Sequence, residues 1–280
     1  MVELRAEPEG RGWRHYGSRA VVYALLALIT VVMLYPFYYM GINSVRSLDQ
    51  YYAGHGFSLA SWRNLFHTLP IGRQLLNSTI ITLSAIAIIL AVSTTGGYAF
   101  AVLRYRASRL VFLAIVAAMM VPIQSIIAPE FVNLAHWGFI NHRYGAILVY
   151  AALGAPFATF LMTVYFQRIP VDVVEAALID GLGYGRIFFR IMLPLAVPAM
   201  ATIAVLQFIF VWDDLLVGLL FLQNPDVRPI TVGLATIPSQ HLLDIPLLMA
   251  GSLISALPAV IVYLLFQRYL MSGLTMGISK

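Results

Sequence analysis

The stretch that decides the fold runs from Glu175 to Pro194 and reads EAALIDGLGYGRIFFRIMLP. It separates two long apolar segments, and it carries two acids, two arginines and three glycines within these twenty positions. A bilayer offers no partners for so many polar groups, so the stretch must form a loop that faces water or another protein. The apolar segments on either side are therefore predicted to cross a membrane.

Two short helices are predicted in this loop, which we place at residues 167–194. Pro170 suits the first turn of a helix, Asp172 complements the positive end of that helix, and Gly181 can supply the left-handed residue that ends it. A second short apolar helix is predicted at about 186–193, ending against Pro194. The loop is thus expected to be ordered.

The composition of the chain indicates an integral membrane protein. Of its 280 residues, 61% are hydrophobic and only 10% are charged, and the mean hydropathy is +0.86. A water-soluble domain of this composition would expose far too much apolar surface. The chain contains no cysteine, so disulfides, thiolate nucleophiles and cysteine-ligated metals are excluded.

An all-α, polytopic fold with six membrane-spanning helices is predicted from the apolar runs, at about 20 residues per span. The six runs are 20–41, 77–103, 110–131, 144–166, 195–222 and 246–266. They form one membrane domain over 20–269, between a disordered cytoplasmic tail at 1–19 and a cytoplasmic tail at 270–280. No small-residue cleavage site follows the first run, which favours a retained span over a removed signal peptide.

Charge asymmetry predicts the orientation of the spans. Twelve of the 17 Lys and Arg residues fall on the side that holds both termini and the 167–194 loop, and five fall on the other side. The positive-inside rule therefore places the termini and the loop in the cytoplasm. The formal net charge of +5 is scattered over short loops, which fits membrane orientation better than binding of nucleic acid.

The loop carries a spaced motif that resembles one known family. Its pattern is E-A-A, three residues, G, nine residues, then I-x-L-P, and it is similar to the cytoplasmic loop of permease subunits in binding-protein-dependent ABC importers. The resemblance implies a loop that docks into a groove of an ATPase subunit and transmits its motion, whereas each residue alone would fit an ordinary connecting loop. The residues to which it assigns ATPase coupling are Glu175, Ala176, Ala177, Asp180, Gly181, Arg186, Ile191, Leu193 and Pro194.

Polar residues inside the spans are candidates for a substrate pathway. Gln124 lies among prolines in the third span, and Gln207, Trp212, Asp213 and Asp214 lie in the fifth. A carboxylate at bilayer depth costs on the order of 3 kcal/mol and usually marks a pathway, a partner or a proton relay. The tryptophan could stack on a sugar ring. The alternative is that both acids sit near the outer interface.

Further segments resemble the carbohydrate-uptake subgroup, the maltose-type permeases. Residues 121–150 look like the third and fourth spans of that subgroup, and the ending Q-R-x-x-x-x-G-L-T begins at Gln267. The subgroup's W-N-D motif is here Trp212-Asp213-Asp214, and its later Pro is Gly218, so the substrate contacts stay open. In some members the C-terminal tail reaches into the ATPase dimer, and a frayed terminus is the alternative here.

What the resemblance implies is a type I importer permease in a bacterial inner membrane, the second of a pair of different permeases. Its partners would be the other permease, two ATPase subunits, an extracytoplasmic substrate-binding protein and membrane lipid. ATP and Mg²⁺ would belong to the ATPase, because this chain has no G-x-x-x-x-G-K-[ST] phosphate loop. No catalytic residue, metal site or cofactor is assigned to the chain itself.

Two alternatives to import of a di- or oligosaccharide remain at this stage. The same importer architecture also serves glycerol phosphate esters. An ion-coupled secondary transporter would use Asp213 or Asp214 as its coupling carboxylate. Six spans without a repeated broken-helix motif argue against the second alternative.

The orientation can be tested with reporter fusions. A reporter fused after Lys280 is expected to behave as cytoplasmic and one inserted near Gly54 as external, because the positive-inside rule puts these positions on opposite sides. Activity of an alkaline phosphatase fusion at each position is the measurement. The reverse pattern would overturn the orientation.

Overall fold

The computed structural model describes residues 11–103, 105–237 and 244–275, and within these ranges the chain is helical without a β-strand. One π-helical turn spans Phe188–Met192. The helices are α1 (Arg11–Ser44), α2 (Leu48–Ala53), α3 (Ala60–Thr68), α4 (Ile71–Val102), α5 (Ser108–Ala118), α6 (Ile123–His136), α7 (Arg143–Phe166), α8 (Val171–Ile179), α9 (Tyr184–Ile187), α10 (Leu193–Leu195), α11 (Val197–Asp213), α12 (Leu216–Phe221), α13 (Ile230–Ala235) and α14 (Ile245–Thr275).

Four of these helices contain a stretch that is long and apolar enough to cross a membrane. They are α1, α4, α7 and α14. Two bent pairs pass the same test together: α5 with α6, bent by 97°, and Tyr184–Leu195 with α11, bent by 69°. Counting each bent pair as one span gives six, in agreement with the predicted all-α, polytopic fold.

Both terminal helices extend beyond their predicted ends. Helix α1 begins at Arg11, so the part of the predicted disordered tail from residue 11 to 19 is helical. Helix α14 continues to Thr275, past the predicted end of its span at residue 266. Once a span has nucleated a helix, each further residue adds a hydrogen bond at low cost. The remainder of the two predicted tails, 1–10 and 276–280, lies outside the described residues.

The third predicted span, 110–131, in which prolines predict a kink, is divided into two helices. Helix α5 ends at Ala118, and α6 starts after Pro122, whose extended backbone (φ −69°, ψ 135°) breaks the path of the chain. Proline lacks an N–H and disfavours the α conformation in the residue before it. Pro129, in contrast, is accommodated inside α6.

The fifth predicted span, 195–222, is also interrupted. Helix α11 ends at Asp213, and Asp214 is extended (ψ 133°) before α12 resumes at Leu216. The Asp214 carboxylate accepts a hydrogen bond from the Val217 N–H at 2.8 Å. A short acidic side chain that bonds the backbone in this way competes with helix continuation and favours a new helix start.

The core of the membrane region is the contact between α4 and α7, with α11 packed against both. Glycines permit the close approach. A Cβ at Gly97 of α4 would lie 2.6 Å from the Met162 Cβ and 2.9 Å from the backbone of α7. A Cβ at Gly154 of α7 would lie 2.6 Å from both Ile89 and Gln207. Small residues at such positions let membrane helices approach closely and pack well.

Polar groups fasten the N-terminal end of α4 to the loop that precedes α13. The Asn77 amide donates to the carbonyls of Asp226 and Arg228, each at 3.0 Å. The N–H of Ile230 donates to the Ser78 hydroxyl at 2.9 Å. Because Asn77 and Ser78 are buried, these bonds satisfy groups that would otherwise be costly to bury.

The chain divides into two compact units, one of residues 1–65 with 244–253 and one of 66–243 with 254–280. In the first unit, the Ser61 hydroxyl donates to the Arg46 carbonyl at 2.7 Å, and Ser47 and Gln50 form a capping box at the start of α2. The predicted coupling loop and all the predicted substrate-pathway residues belong to the second unit.

The glycine contact between α4 and α7 can be tested by a single methyl group. Gly97→Ala is expected to destabilise the protein by about 1–3 kcal/mol, because the helix backbones would have to separate. Gly72→Ala is the matched control, since a Cβ there meets nothing within 4 Å. The measurement is the midpoint of thermal unfolding in detergent. Equal midpoints for the two variants would contradict the close packing.

Candidate functional site: the segment between α7 and α11

Helix α8 ends in the geometry that the sequence predicts. Gly181 follows the C-cap Asp180 with a backbone angle φ of +78°. The N–H of Leu182 bonds the Ala177 carbonyl, and the N–H of Gly181 bonds the Leu178 carbonyl, both at 3.0 Å. This is a Schellman motif, which ends a helix on a left-handed residue. The predicted role of Gly181 as a left-handed stop is confirmed.

The second helix of the segment differs from its prediction. It starts at Tyr184 after Gly183 and runs through the π turn and past Pro194 to Leu195, whereas the prediction ended it against Pro194. The N–H of Leu193 reaches back five residues to the Phe188 carbonyl. This wider turn relieves the crowding that proline otherwise causes in a helix interior. The bend comes two residues later, at Ala196.

The inner face of the segment packs on the ends of α4 and α7. Tyr98, near the end of α4, lies with its ring centroid 5.1 Å from Phe188 and 6.1 Å from Phe166. The buried side chains that the segment contributes to this cluster are Val174, Ala177, Ile187, Phe188 and Met192. The segment is therefore built onto the core and is not a freely solvated connection.

The outer face of α8 is exposed and partly apolar. Ile179 is 86% exposed, and Val171, Leu178 and Tyr184 are also exposed. Exposed aliphatic and aromatic side chains grouped on an ordered helix indicate an interaction surface. The motif does not include these four residues. Their signal in the sequence was the apolar Leu178-Ile179 pair directly before the acid and glycine that end the helix.

The predicted coupling residues are divided between the two faces. Ala177 is buried, and Ile191 and Leu193 are half-buried. The exposed members are Glu175, Ala176, Asp180, Gly181, Arg186 and Pro194. One motif thus supplies both the packing and the surface of the segment.

A cavity of 510 Å³ opens where α8 meets the ends of α4 and α7. Its lining includes Val102 of α4, Phe166 of α7 and Glu175, Leu178 and Tyr184 of the segment. The wall is mixed, because an acid, an arginine and a glutamine lie among its apolar groups. Such a recess next to an exposed apolar helix can receive side chains of a protein partner.

Trp212 is not available for the stacking that was predicted. Its side chain is only 3% exposed, and its ring stacks on Phe208 with centroids 5.3 Å apart and planes 11° apart. The indole N–H donates to the Ser255 carbonyl of α14 at 2.9 Å. Because its ring and its donor are both engaged within the chain, Trp212 packs helices together and does not offer a face to a sugar.

The two acids of the fifth span have different surroundings. The Asp214 carboxylate accepts from the Tyr150 hydroxyl at 2.9 Å and from the Val217 N–H at 2.8 Å. It thereby joins α7 to the start of α12. Asp213 is exposed. Asp214 thus has a structural role in this fold, and Asp213 is the acid of the pair that can meet a solute.

The two glutamines of the predicted substrate pathway also have different surroundings. Gln207 is 4% exposed and lies against Gly154, so it packs between α7 and α11. Gln124 is exposed in the first turn of α6. A 280 Å³ cavity between α6 and α7 is lined instead by Glu130, with mostly apolar neighbours that include Val149. Glu130 is the polar residue of this cavity, and the candidate set from the sequence omitted it.

Comparison with known proteins gives a family for the chain. Residues 93–275 match the model of the binding-protein-dependent transport system inner membrane component. The matched region contains α7, the whole segment between α7 and α11, and α14.

Two relatives and one solved structure extend the match. The chain is 32% identical over 266 residues to the diacetylchitobiose uptake system permease protein of Streptomyces coelicolor, covering 92% of this chain and 88% of the relative. It is 34% identical over 225 residues to the osmoprotective compounds uptake permease protein of Synechocystis, covering 80% and 76%. A bacterial ABC transporter involved in the import of alginate contains a chain with a TM-score of 0.79 at 24% identity, covering 94% and 99%. That last likeness shows the fold.

The different surroundings of the two acids give a testable difference. Asp214→Ala removes the acceptor of two hydrogen bonds and is expected to cost about 1–2 kcal/mol of stability. Asp213→Ala, at an exposed position, is the control and is expected to change stability little. Thermal unfolding of the two purified variants is the measurement. A larger loss in Asp213→Ala than in Asp214→Ala would show that the assignment is wrong.

Proposed function

Because the chain belongs to the family of binding-protein-dependent transport system inner membrane components, we propose that it is one of two different permease subunits of a bacterial ABC importer for a di- or oligosaccharide. It forms half of the translocation pathway. Two ATPase subunits supply the energy, and an external binding protein delivers the solute. The observation that carries the coupling role is the order of the segment between α7 and α11, whose inner face is packed and whose outer face is partly apolar.

The segment works as the contact with the ATPase. Its buried face, with Val174 and Ala177 of α8, fixes it to the ends of α4 and α7. Its exposed face, with Ile179 and Tyr184, enters a groove of the ATPase. A helix held on one side and docked on the other transmits a displacement because its two faces cannot move independently.

Transport follows as a two-state change. Binding of ATP with Mg²⁺ closes the ATPase dimer, and the docked segment turns that closure into a rearrangement of the spans around a central cavity. The segment lies in the cytoplasm, where ATP is, and both termini lie on the same side. ATP binding therefore biases the pathway between its two openings, and the permease itself carries out no chemical step.

The first span supports a partner within the membrane. The apolar side chains from Ala20 to Tyr39 are exposed, with none of an 18-residue window of this span buried inside the chain. Lipid and the second permease are the surroundings in which such a helix is stable. The two permeases together enclose the pathway.

The oligosaccharide assignment rests on the relatives, one of which takes up diacetylchitobiose. Within this chain Trp212 is buried, so contacts to the solute come from exposed polar positions such as Gln124 and Asp213 and from the cavity that Glu130 lines. Competition of unlabelled oligosaccharides against labelled solute in vesicles tests the class. Stronger competition by a glycerol phosphate ester, or by an osmoprotective compound of the kind that the Synechocystis relative takes up, would replace oligosaccharide as the assigned solute class.

The coupling role can be tested at Gly181. Gly181→Val forces a β-branched residue into a left-handed conformation (φ +78°), which costs on the order of 1–3 kcal/mol. The spans are untouched, so the variant is expected to insert normally. Stimulation of ATP hydrolysis by the loaded binding protein is expected to fall by about five-fold or more, since 1 kcal/mol corresponds to about a factor of five.

Gly183→Val is the matched control, two residues away in the same segment. Its backbone (φ −75°, ψ 158°) is one that valine adopts readily, and a Cβ there meets nothing within 4 Å. The measurement is co-purification of the ATPase together with stimulated hydrolysis in proteoliposomes. Wild-type values of both in Gly181→Val would mean that this segment is not the coupling element.

A further inference from the structure

We infer that Tyr98 is the positioning residue through which the segment between α7 and α11 moves α4. This inference rests on the proposed coupling function of that segment. Tyr98 is outside the segment, four residues before the end of α4. It bonds the first residue of the second short helix, Tyr184.

The hydrogen bond joins two elements that are 86 residues apart in the sequence. The Tyr98 hydroxyl donates to the Tyr184 carbonyl at 3.0 Å, and the Tyr98 side chain is 5% exposed. The Tyr184 carbonyl also accepts a hydrogen bond from the N–H of Phe188. That N–H donates to the Gly185 carbonyl as well. The Tyr98–Tyr184 bond therefore lies where the helix changes from α to π geometry. At this point one backbone N–H is shared between two carbonyls.

The ring of Tyr98 reinforces this connection. It packs against Phe188 of the π turn and edge-on against Phe166, the last residue of α7. Contacts of this kind are worth about 0.5–1.5 kcal/mol beyond the area that they bury. One side chain of α4 thus touches the end of α7 and the second helix of the segment.

The backbone at Tyr98 cannot yield when the segment is displaced. The preceding residue, Gly97, lies so close to Met162 that a Cβ would be 2.6 Å away. A packed interface without spare space passes a displacement on because it cannot absorb it. A shift of Tyr184 is therefore transmitted to α4 as a whole.

Helix α4 carries the displacement across the membrane region. From Tyr98 to Asn77 is 21 residues, which in an α-helix is about 30 Å. Asn77 donates to the carbonyls of Asp226 and Arg228 in the loop before α13. A movement at the ATPase side can in this way reach the loop on the opposite side through one continuous helix.

The test is Tyr98→Phe, which keeps the ring and removes only the hydroxyl. Assembly with the ATPase and basal ATP hydrolysis are expected to stay unchanged. The number of ATP molecules hydrolysed per solute transported is expected to rise about three- to ten-fold, as loss of one hydrogen bond in a coupled step would produce. A purely structural role would lower stability and leave this ratio unchanged.

Tyr165→Phe is the matched control. Tyr165 belongs to α7, and its hydroxyl donates to the Leu195 carbonyl at 2.7 Å. It thus bonds the far end of the second short helix, which Tyr98 bonds at its start. This variant is expected to keep the wild-type ratio of ATP to solute. Both variants and the wild type are compared in proteoliposomes with the ATPase, the second permease and the loaded binding protein.

Each outcome decides the inference. A raised ratio in Tyr98→Phe alone supports it. Three outcomes overturn it: a wild-type ratio in Tyr98→Phe, an equal rise in both variants, or loss of assembly in Tyr98→Phe. In each of these cases the wild-type complex still couples ATP hydrolysis to transport. If the wild-type complex itself shows no stimulated hydrolysis, the proposed function fails and this inference fails with it.

Discussion

The close contact between α4 and α7 is the constraint on which the rest of the structure depends. Gly97 and Gly154 allow the two helices to approach until a single Cβ would clash with Met162 or with Ile89. Lipid tails are as apolar as the helices themselves, so there is little hydrophobic driving force for transmembrane helices to associate. Dense packing at small residues therefore has to stabilise the helix pair. The resulting pair is rigid. It supports the segment between α7 and α11 at one end and the loop before α13 at the other.

The second constraint is that lipid satisfies no backbone hydrogen bonds. Each break in a predicted span is accordingly compensated from within the chain. Pro122 has no N–H to satisfy, the Asp214 carboxylate accepts the N–H of Val217, and the π turn before Pro194 rearranges the bonds around a proline. The segment between α7 and α11 is ordered by its packing on the ends of α4 and α7, and Gly181 closes its first helix in a left-handed turn.

The fold class and the end of α8 at Gly181 could be predicted from the sequence because they depend on local signals. Apolar runs of span length, an acid in a first turn and a glycine at a helix end act over a few residues. The substrate pathway could not be predicted in this way. Whether Trp212 faces a solute or Phe208, and whether Asp214 binds an ion or caps a helix, depends on neighbours far away in the sequence. The helical continuation past Pro194 likewise depends on its surroundings, which override the local proline signal, whereas the break near Pro122 follows that signal.

The proposed contact between the exposed face of α8 and the ATPase can be tested directly, because the chain has no cysteine. Ile179 is 86% exposed and can be replaced by the only cysteine of the chain. A short thiol-to-amine cross-linker is then applied to the assembled importer in proteoliposomes, and the products are identified by mass spectrometry. This contact predicts a covalent product between Ile179→Cys and the ATPase subunit, and the yield of that product is expected to change when ATP is added. A fully assembled, transport-active complex that gives no ATPase product from this position would contradict it.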